Sequence, residues 1–264
     1  SSDVCSSDLD ILNKLVTQLK AMPQIETLVV GSSHAECGFY ETPRDVNFGI
    51  ASQDLYYSYQ LYMKSLLMFP NLKRVVLFYS DFSDGNEEER SMFLEESAKY
   101  MQYFGIPPKN PVFYADKQID LCPKFAPYEV KTPDFDDPYP FPAPVFNMPE
   151  NTVKTRVEKH LKGAFRGSSQ TMFVERIIRS ALTEGLDLTI VVAPARADYL
   201  SFVPADAKPF EKLENLLKKY DGKVRYLNCW RDADFTDADF TDCDHLNRSG
   251  AEKLTAKIRS ARNG

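Results

Sequence analysis

Short runs of consecutive apolar, largely β-branched residues punctuate the chain, and they predict its strands. Thr27-Leu28-Val29-Val30 lies within a strand over 26–31, Val75-Val76-Leu77-Phe78-Tyr79 within one over 73–80, and Leu188 to Ala193 forms another. None alternates with polar residues, so each reads as a strand covered on both faces. Asp45 to Ile50 and Lys223 to Asn228 are weaker strand signals. Between them the apolar spacing turns helical. Ile11, Leu12, Leu15, Val16 and Leu19 predict a helix over 10–19 that Pro23 ends. A Tyr- and Leu-rich helix follows over 54–69, capped by Ser52 or Asp54 and stopped by Pro70. Further helices are predicted over 153–165, 169–184 (before Gly185), 209–220 and 249–261. Strands alternating with helices imply a parallel sheet with helices on both faces. The predicted fold is α/β: a three-layer α/β/α sandwich on a five-stranded, parallel, flavodoxin-like sheet.

The pattern breaks between residues 81 and 150. An acidic helix is predicted over 86–103, then a Pro- and aromatic-rich stretch from Ile106 to Pro149 that fits neither helix nor strand. We read 84–150 as an insertion in a single domain spanning 10–264. It would cover or flank the site, or offer a surface to a protein partner. The start, Ser-Ser-Asp-Val-Cys-Ser-Ser-Asp-Leu, is polar and nearly repeats itself. Residues 1–9 are read as a scar or truncation point and set aside.

Composition narrows the function classes. A net charge of −6, with scattered Lys and Arg, argues against a nucleic-acid partner. No apolar run approaches the roughly 18 residues of a membrane span, so no transmembrane segment is expected and the chain as given reads as soluble. The five cysteines are odd in number and form no CxxC pair, which argues against a disulfide framework or a zinc site. No metal and no organic cofactor is expected. Isolated thiols lean towards a reducing compartment, although a pair could still form.

Two stretches carry candidate chemistry. In Gly31-Ser32-Ser33, serines follow directly on a strand, at the sheet edge where open α/β folds bind ligands. Ser33 is placed there as a nucleophile, with helix-start N–H groups to meet an anion; a plain helix cap is the bland alternative. Near the other end, Ala-Asp-Phe-Thr-Asp occurs twice in tandem and leads into Asp242-Cys-Asp-His245. The loop could be a solvated acidic turn. It could be a calcium loop, although it lacks the central Gly and terminal Glu of an EF-hand. It could also present Asp242 to the Nδ1–H of His245, leaving Nε2 free as a base. Early serine and late Asp-x-x-His on one sheet edge are together far more specific than either alone. Arg196, after strand four, could bind an anionic or sugar substrate or form a surface ion pair. His34 reads as a loop residue, with a supporting contact behind Ser33 as the alternative, and His160 as incidental on an exposed basic helix. Cys37 reads as a packed thiol, and Trp230 as core or pocket wall.

Val-Val-Gly-Ser-Ser-His and Thr-Asp-Cys-Asp-His-Leu-Asn-Arg-Ser-Gly-Ala resemble the first and last blocks of the SGNH/GDSL hydrolase superfamily. The resemblance spans about residues 26–260 apart from the insertion. It implies an esterase or acyltransferase with Ser33 as nucleophile, His245 as base and Asp242 as its orienter. The second block's oxyanion residue falls at Ser52 or Gly49. The third block's Asn has no counterpart in Tyr79-Ser-Asp-Phe-Ser-Asp84, where Ser80 or Ser83 could substitute. The Gly-Ser-Ser-His variant resembles branches acting on bacterial surface polysaccharides. That implies a small acyl ester or acylated carbohydrate as substrate and an extracytoplasmic bacterial setting. A non-catalytic polysaccharide-binding or assembly module on the same fold is the alternative.

Overall fold

The structure, a computed structural model, describes residues 22, 24–90, 94–119, 148–162 and 167–260. The helix predicted over 10–19 and the Pro-rich core of the insertion lie outside the described residues. Five strands form one sheet: β1 (Thr27–Val30), β2 (Asp45–Asn47), β3 (Arg74–Phe78), β4 (Asp187–Val192) and β5 (Arg225–Asn228). The order is β2-β1-β3-β4-β5, and every pairing is parallel. This is the predicted flavodoxin-like arrangement. The chain moves outward from β1 to β2, then returns to lay β3 on the other side of β1. The order therefore reverses between β1 and β3, and a crevice opens at their carboxyl ends.

Alternation along the strands divides the core. Leu28 and Val30, Val75 and Leu77, and Leu188, Ile190 and Val192 face one apolar cluster; Val29, Val76, Phe78 and Val191 face the other. Helices α2 (Leu55–Met68) and α6 (Thr171–Thr183) cover the first face with Leu61, Tyr62, Ile177 and Ile178. Helix α9 (Arg248–Ser260) covers the second with Leu254 and Ile258. Both faces are thus covered at β1, β3 and β4, which explains why these strand sequences run apolar without alternation.

The boundaries follow local chemistry. Asp54 caps α2 by accepting the Tyr57 N–H at 3.0 Å. Gly185 takes φ +68° after α6, and the next N–H closes back on the Ala181 carbonyl at 2.8 Å. Regular β2 stops at Asn47, short of the predicted 50. Pairing nevertheless continues, because the Phe48 and Ile50 N–H groups donate to the Val29 and Gly31 carbonyls.

Several short helices escape the periodicity. Helix α1 is a single turn, Ser33–Glu36, and α7 (Ala197–Ser201) follows β4. The insertion is partly helical: α3 (Leu94–Phe104) precedes α4 (Pro111–Asp116). Helix α4 corrects the expectation that 106–149 holds no helix. Pro111 opens it, a position where the missing N–H costs nothing. Helix α5 (Glu150–Lys162) then brings the chain back, and α8 (Glu211–Leu217) precedes β5.

Candidate active site

The site begins where β1 stops. Gly31 has φ +147°, and a Cβ there would meet the Phe78 Cβ at 2.8 Å, so only glycine lets the chain turn this close to β3. Ser32 caps the single turn of α1, and Ser33 is its first residue. The Ser33 Oγ lies 2.8 Å from His245 Nε2.

Asp242 builds the other half. Its Oδ1 accepts the backbone N–H groups of Asp244 at 3.0 Å and His245 at 2.8 Å. That local turn pins the carboxylate and leaves Oδ2 for His245 Nδ1, 2.9 Å away. The turn is closed by Thr241 N–H donating to the His245 carbonyl at 2.8 Å. The residues after it hold it against α9. Asn247 Oδ1 accepts the Gly250 N–H, while its Nδ2 donates to the Ala238 carbonyl at 2.7 Å. A Cβ on Gly250 would sit 2.2 Å from the Asp239 carbonyl. The Leu-Asn-Arg-Ser-Gly-Ala run is therefore a seating device for the Asp-x-x-His turn.

Behind this row lies a second polar layer. His34 is buried, with Nδ1 2.7 Å from Ser80 Oγ and Nε2 3.3 Å from Asp244 Oδ2. Ser80 Oγ is also 3.0 Å from Ser32 Oγ. His160, on α5, lies with Nδ1 2.9 Å from the Tyr199 hydroxyl, which donates to Asp81 Oδ2 at 2.5 Å. The expectations of a loop role for His34 and an incidental one for His160 are thus corrected. A small cavity at the ends of β3 and β4 is lined by His34, Ser80, Asp81 and Asp244 and also by apolar Val192, Ala193 and Trp230.

Arg156, also on α5, links the two layers. Its Nη1 donates to Asp242 Oδ2 at 3.1 Å, its Nε lies 2.9 Å from Asp244 Oδ1, and its Nη2 is 3.1 Å from His245 Nδ1. The sequence reading missed it. The available signal was the stripe Val153, Arg156, Val157, His160 at helical spacing, in which the two valines are buried.

Electrostatics follow from this packing. Burial alone pushes the Asp242 carboxyl up, but the hydrogen bond and charge of His245, with Arg156, leave it below its ordinary value. Asp244, fully enclosed, is held well below the carboxylate range as His245, His34 and Arg156 outweigh its burial. Burial pulls His245 down, yet Asp244 and Asp242 raise it above 6.5, with Arg156 opposing them. Burial holds His160 below its ordinary value and pushes the Cys37 thiol up to about 12. Cys37 therefore stays protonated and is not an activated nucleophile.

The remaining candidates have other partners. The Gly49 N–H donates to Asn47 Oδ1 at 2.8 Å, and a Cβ there would lie 2.6 Å from the Glu36 nitrogen, so Gly49 is a close-packing glycine. Ser52 adopts φ +65°, and its carbonyl accepts the Asn86 Nδ2 at 3.0 Å. Asn86 lies beyond the Tyr79–Asp84 segment, and this bond to Ser52 ties it to the loop after β2. Arg196 is almost wholly buried and is held by Asp198 through Nε at 2.9 Å and Nη2 at 2.7 Å. Trp230 packs edge-on against Phe210 and walls the cavity. Along the acidic loop, Lys257 meets Asp232 and Asp234, and Lys253 meets Asp239. Lysines, not a loop built for calcium, neutralise these carboxylates. Donor atoms of His34, Asp244 and His245 do cluster within 4.8 Å, but Arg156 already supplies the cation there, and we assign no metal.

No family model matches the chain, and no curated protein matches it. Among solved structures, a candidate acylhydrolase from Bacteroides fragilis aligns at TM-score 0.46 and 10% identity, over 95% of this chain and 94% of its own. A candidate lipolytic protein of the G-D-S-L family from Desulfitobacterium hafniense aligns at TM-score 0.41 and 10% identity, over 89% of this chain and 98% of its own. At this distance the chemistry rests on the site's own geometry.

Proposed function

We propose that the protein is a serine-dependent acyl-ester hydrolase or O-acyltransferase. One observation carries the reading: an unbroken row from Ser33 Oγ to His245 Nε2 at 2.8 Å, and from His245 Nδ1 to Asp242 Oδ2 at 2.9 Å. Nucleophile, base and orienter stand in the order that acyl transfer needs. Ser33 Oγ forms a bond to the ester carbonyl carbon as its proton passes to His245 Nε2. Asp242 supports the imidazolium. The Ser33 N–H at the start of α1, with backbone near Ser52, holds the developing oxyanion. When the tetrahedral adduct collapses, the ester C–O bond breaks and His245 protonates the departing alcohol. Water or an acceptor hydroxyl then takes the acyl group from Ser33 by the same steps in reverse.

The substrate we propose is a small acyl group on a carbohydrate or cell-surface polymer, in an extracytoplasmic setting. Support for this part comes from the Gly-Ser-Ser-His variant alone. The insertion at 84–150 would serve as a cover or a partner surface.

A second reading, a non-catalytic polysaccharide-binding module, is favoured by one feature. The Gly49 N–H and the Asn86 amide are both engaged elsewhere in the protein. A missing oxyanion donor typically costs about 10²–10³ in rate. A fluorophosphonate serine probe separates the two readings. The hydrolase predicts labelling that vanishes in both Ser33→Ala and His245→Ala; a folded wild type that takes no label supports the binding module.

A further inference from the structure

Arg156 makes a contact that a purely structural arginine would not need. Each of its three guanidinium nitrogens meets a different residue of the 242–245 turn: Asp242, Asp244 and the Nδ1 edge of His245. Nδ1 of a neutral imidazole cannot both donate to Asp242 and accept from Arg156. With the Nδ1–H given to Asp242, as the mechanism requires, Nη2 makes no hydrogen bond to the ring and instead sets a positive charge beside that edge. Only arginine can span three such partners with one rigid fork.

We propose that Arg156 is a positioning residue that holds His245 in its neutral, proton-accepting form to a lower pH than the two neighbouring aspartates alone would allow. The proposal rests on the acyl-transfer reading above. Without Arg156 the imidazole would keep its two carboxylates and lose the cation that now bonds both of them. Two anions beside an imidazole stabilise its protonated form, which cannot accept the Ser33 proton. The groups facing His245 come from three elements. Its own turn supplies Asp242, Cys243 and Asp244. Helix α1 supplies Ser33 and the His34 ring, whose centroid is 5.3 Å away. Helix α5 supplies Arg156, with His160 3.8 Å from Asp244 on the far side. Among these, Arg156 is the one permanent cation. Burial, the largest influence, and Arg156 both push the His245 pKa down, while the two aspartates push it up and prevail. Helix α5 lies directly after the insertion, so the segment that interrupts the fold also delivers the side chain that tunes the base.

The test is the pH at which His245 titrates, followed by side-chain NMR and by the rate of fluorophosphonate labelling. The chain has three histidines, so single His→Gln variants assign each signal. Arg156→Gln should move the His245 midpoint, and the acid limb of labelling, upward by about one pH unit. Labelling near pH 7 should fall several-fold and recover at alkaline pH. An unchanged or lowered midpoint overturns the proposal, as does a labelling loss equal at every pH. Should Arg156→Gln not fold, Arg156→Gln in an Asp244→Asn background carries the same test. Its midpoint must lie above that of Asp244→Asn alone, and equal midpoints overturn the proposal. The NMR midpoint is measurable without activity. An unlabelled wild type therefore contradicts the acyl-transfer reading, while an unmoved midpoint contradicts the role of Arg156.

Discussion

Residues 233–237 and 238–242 have the same sequence, Ala-Asp-Phe-Thr-Asp, and opposite fates. In the first copy Phe235 is only half-buried and lies beneath the lysines of α9, with Lys253 Nζ 5.3 Å from its ring centre. Asp234 and Asp237 are exposed. In the second copy Phe240 is buried in the core and bridges to Leu246. Asp239 is buried against Lys253, and Asp242 turns inward to His245. Composition and local propensity are identical in the two copies. Neighbours alone make one a solvated turn and the other half of a site: α9 lysines for the first, and α1, α5 and His245 for the second. An acidic run has no function of its own until the fold gives its carboxylates partners.

The comparison is broken most directly at the fifth position of each copy. Asp242→Asn should lower turnover of p-nitrophenyl acetate on the order of 10⁴-fold, because the imidazole loses its orienting anion. Asp237→Asn should stay within about twofold of wild type. Equal losses would mean that charge on the loop, not the inward turn, matters. The third position sharpens the contrast in stability. Phe240→Ala should cost about 3–5 kcal/mol in urea unfolding, and Phe235→Ala less than about 1.5 kcal/mol.

How much of this was legible differs between the two halves of the site. Ser33, Asp242 and His245 were legible as candidates because each carries a local signal, although the fold alone sets Ser33 against His245, 212 residues away. A strand must end before a Gly-Ser-Ser turn, and an Asp three residues before a His can bond its ring within one turn. Strands β1, β3 and β4 were legible for the same reason, since each apolar run was long enough to mark one buried strand, whereas β2 and β5 left weaker signals. The second layer was not. Arg156 lies 86 residues from Asp242, and His34 lies 210 from Asp244. No spacing rule connects residues that only the fold brings together. The short helices α1, α4 and α7 span too little sequence to show a period.

A smaller effect comes from pH. Asp244 sits well below its ordinary 3.8, since His245, His34 and Arg156 outweigh the burial that would raise it. A carboxylate with a depressed folded pKa stabilises fully above its unfolded pKa and loses that contribution as pH falls through the folded one. Asp244→Asn should therefore be less stable than wild type at pH 7, with the gap narrowing below about pH 4. Asn at exposed Asp234 should leave the acid-unfolding curve in place. The smallest change is expected at the lysines of the first copy. Lys257→Ala, which loses the pairs to Asp232 and Asp234, should cost less than about 1 kcal/mol in thermal unfolding.

The central claim is that the second copy, and not the first, completes an activated serine. Peptide mass spectrometry after fluorophosphonate treatment tests it directly, on wild type, Asp237→Asn and Asp242→Asn together. The account predicts a single adduct on Ser33 in wild type and Asp237→Asn, and almost none in Asp242→Asn. An adduct on Ser32 or Ser80, or equal labelling of Ser33 in all three proteins, would contradict it.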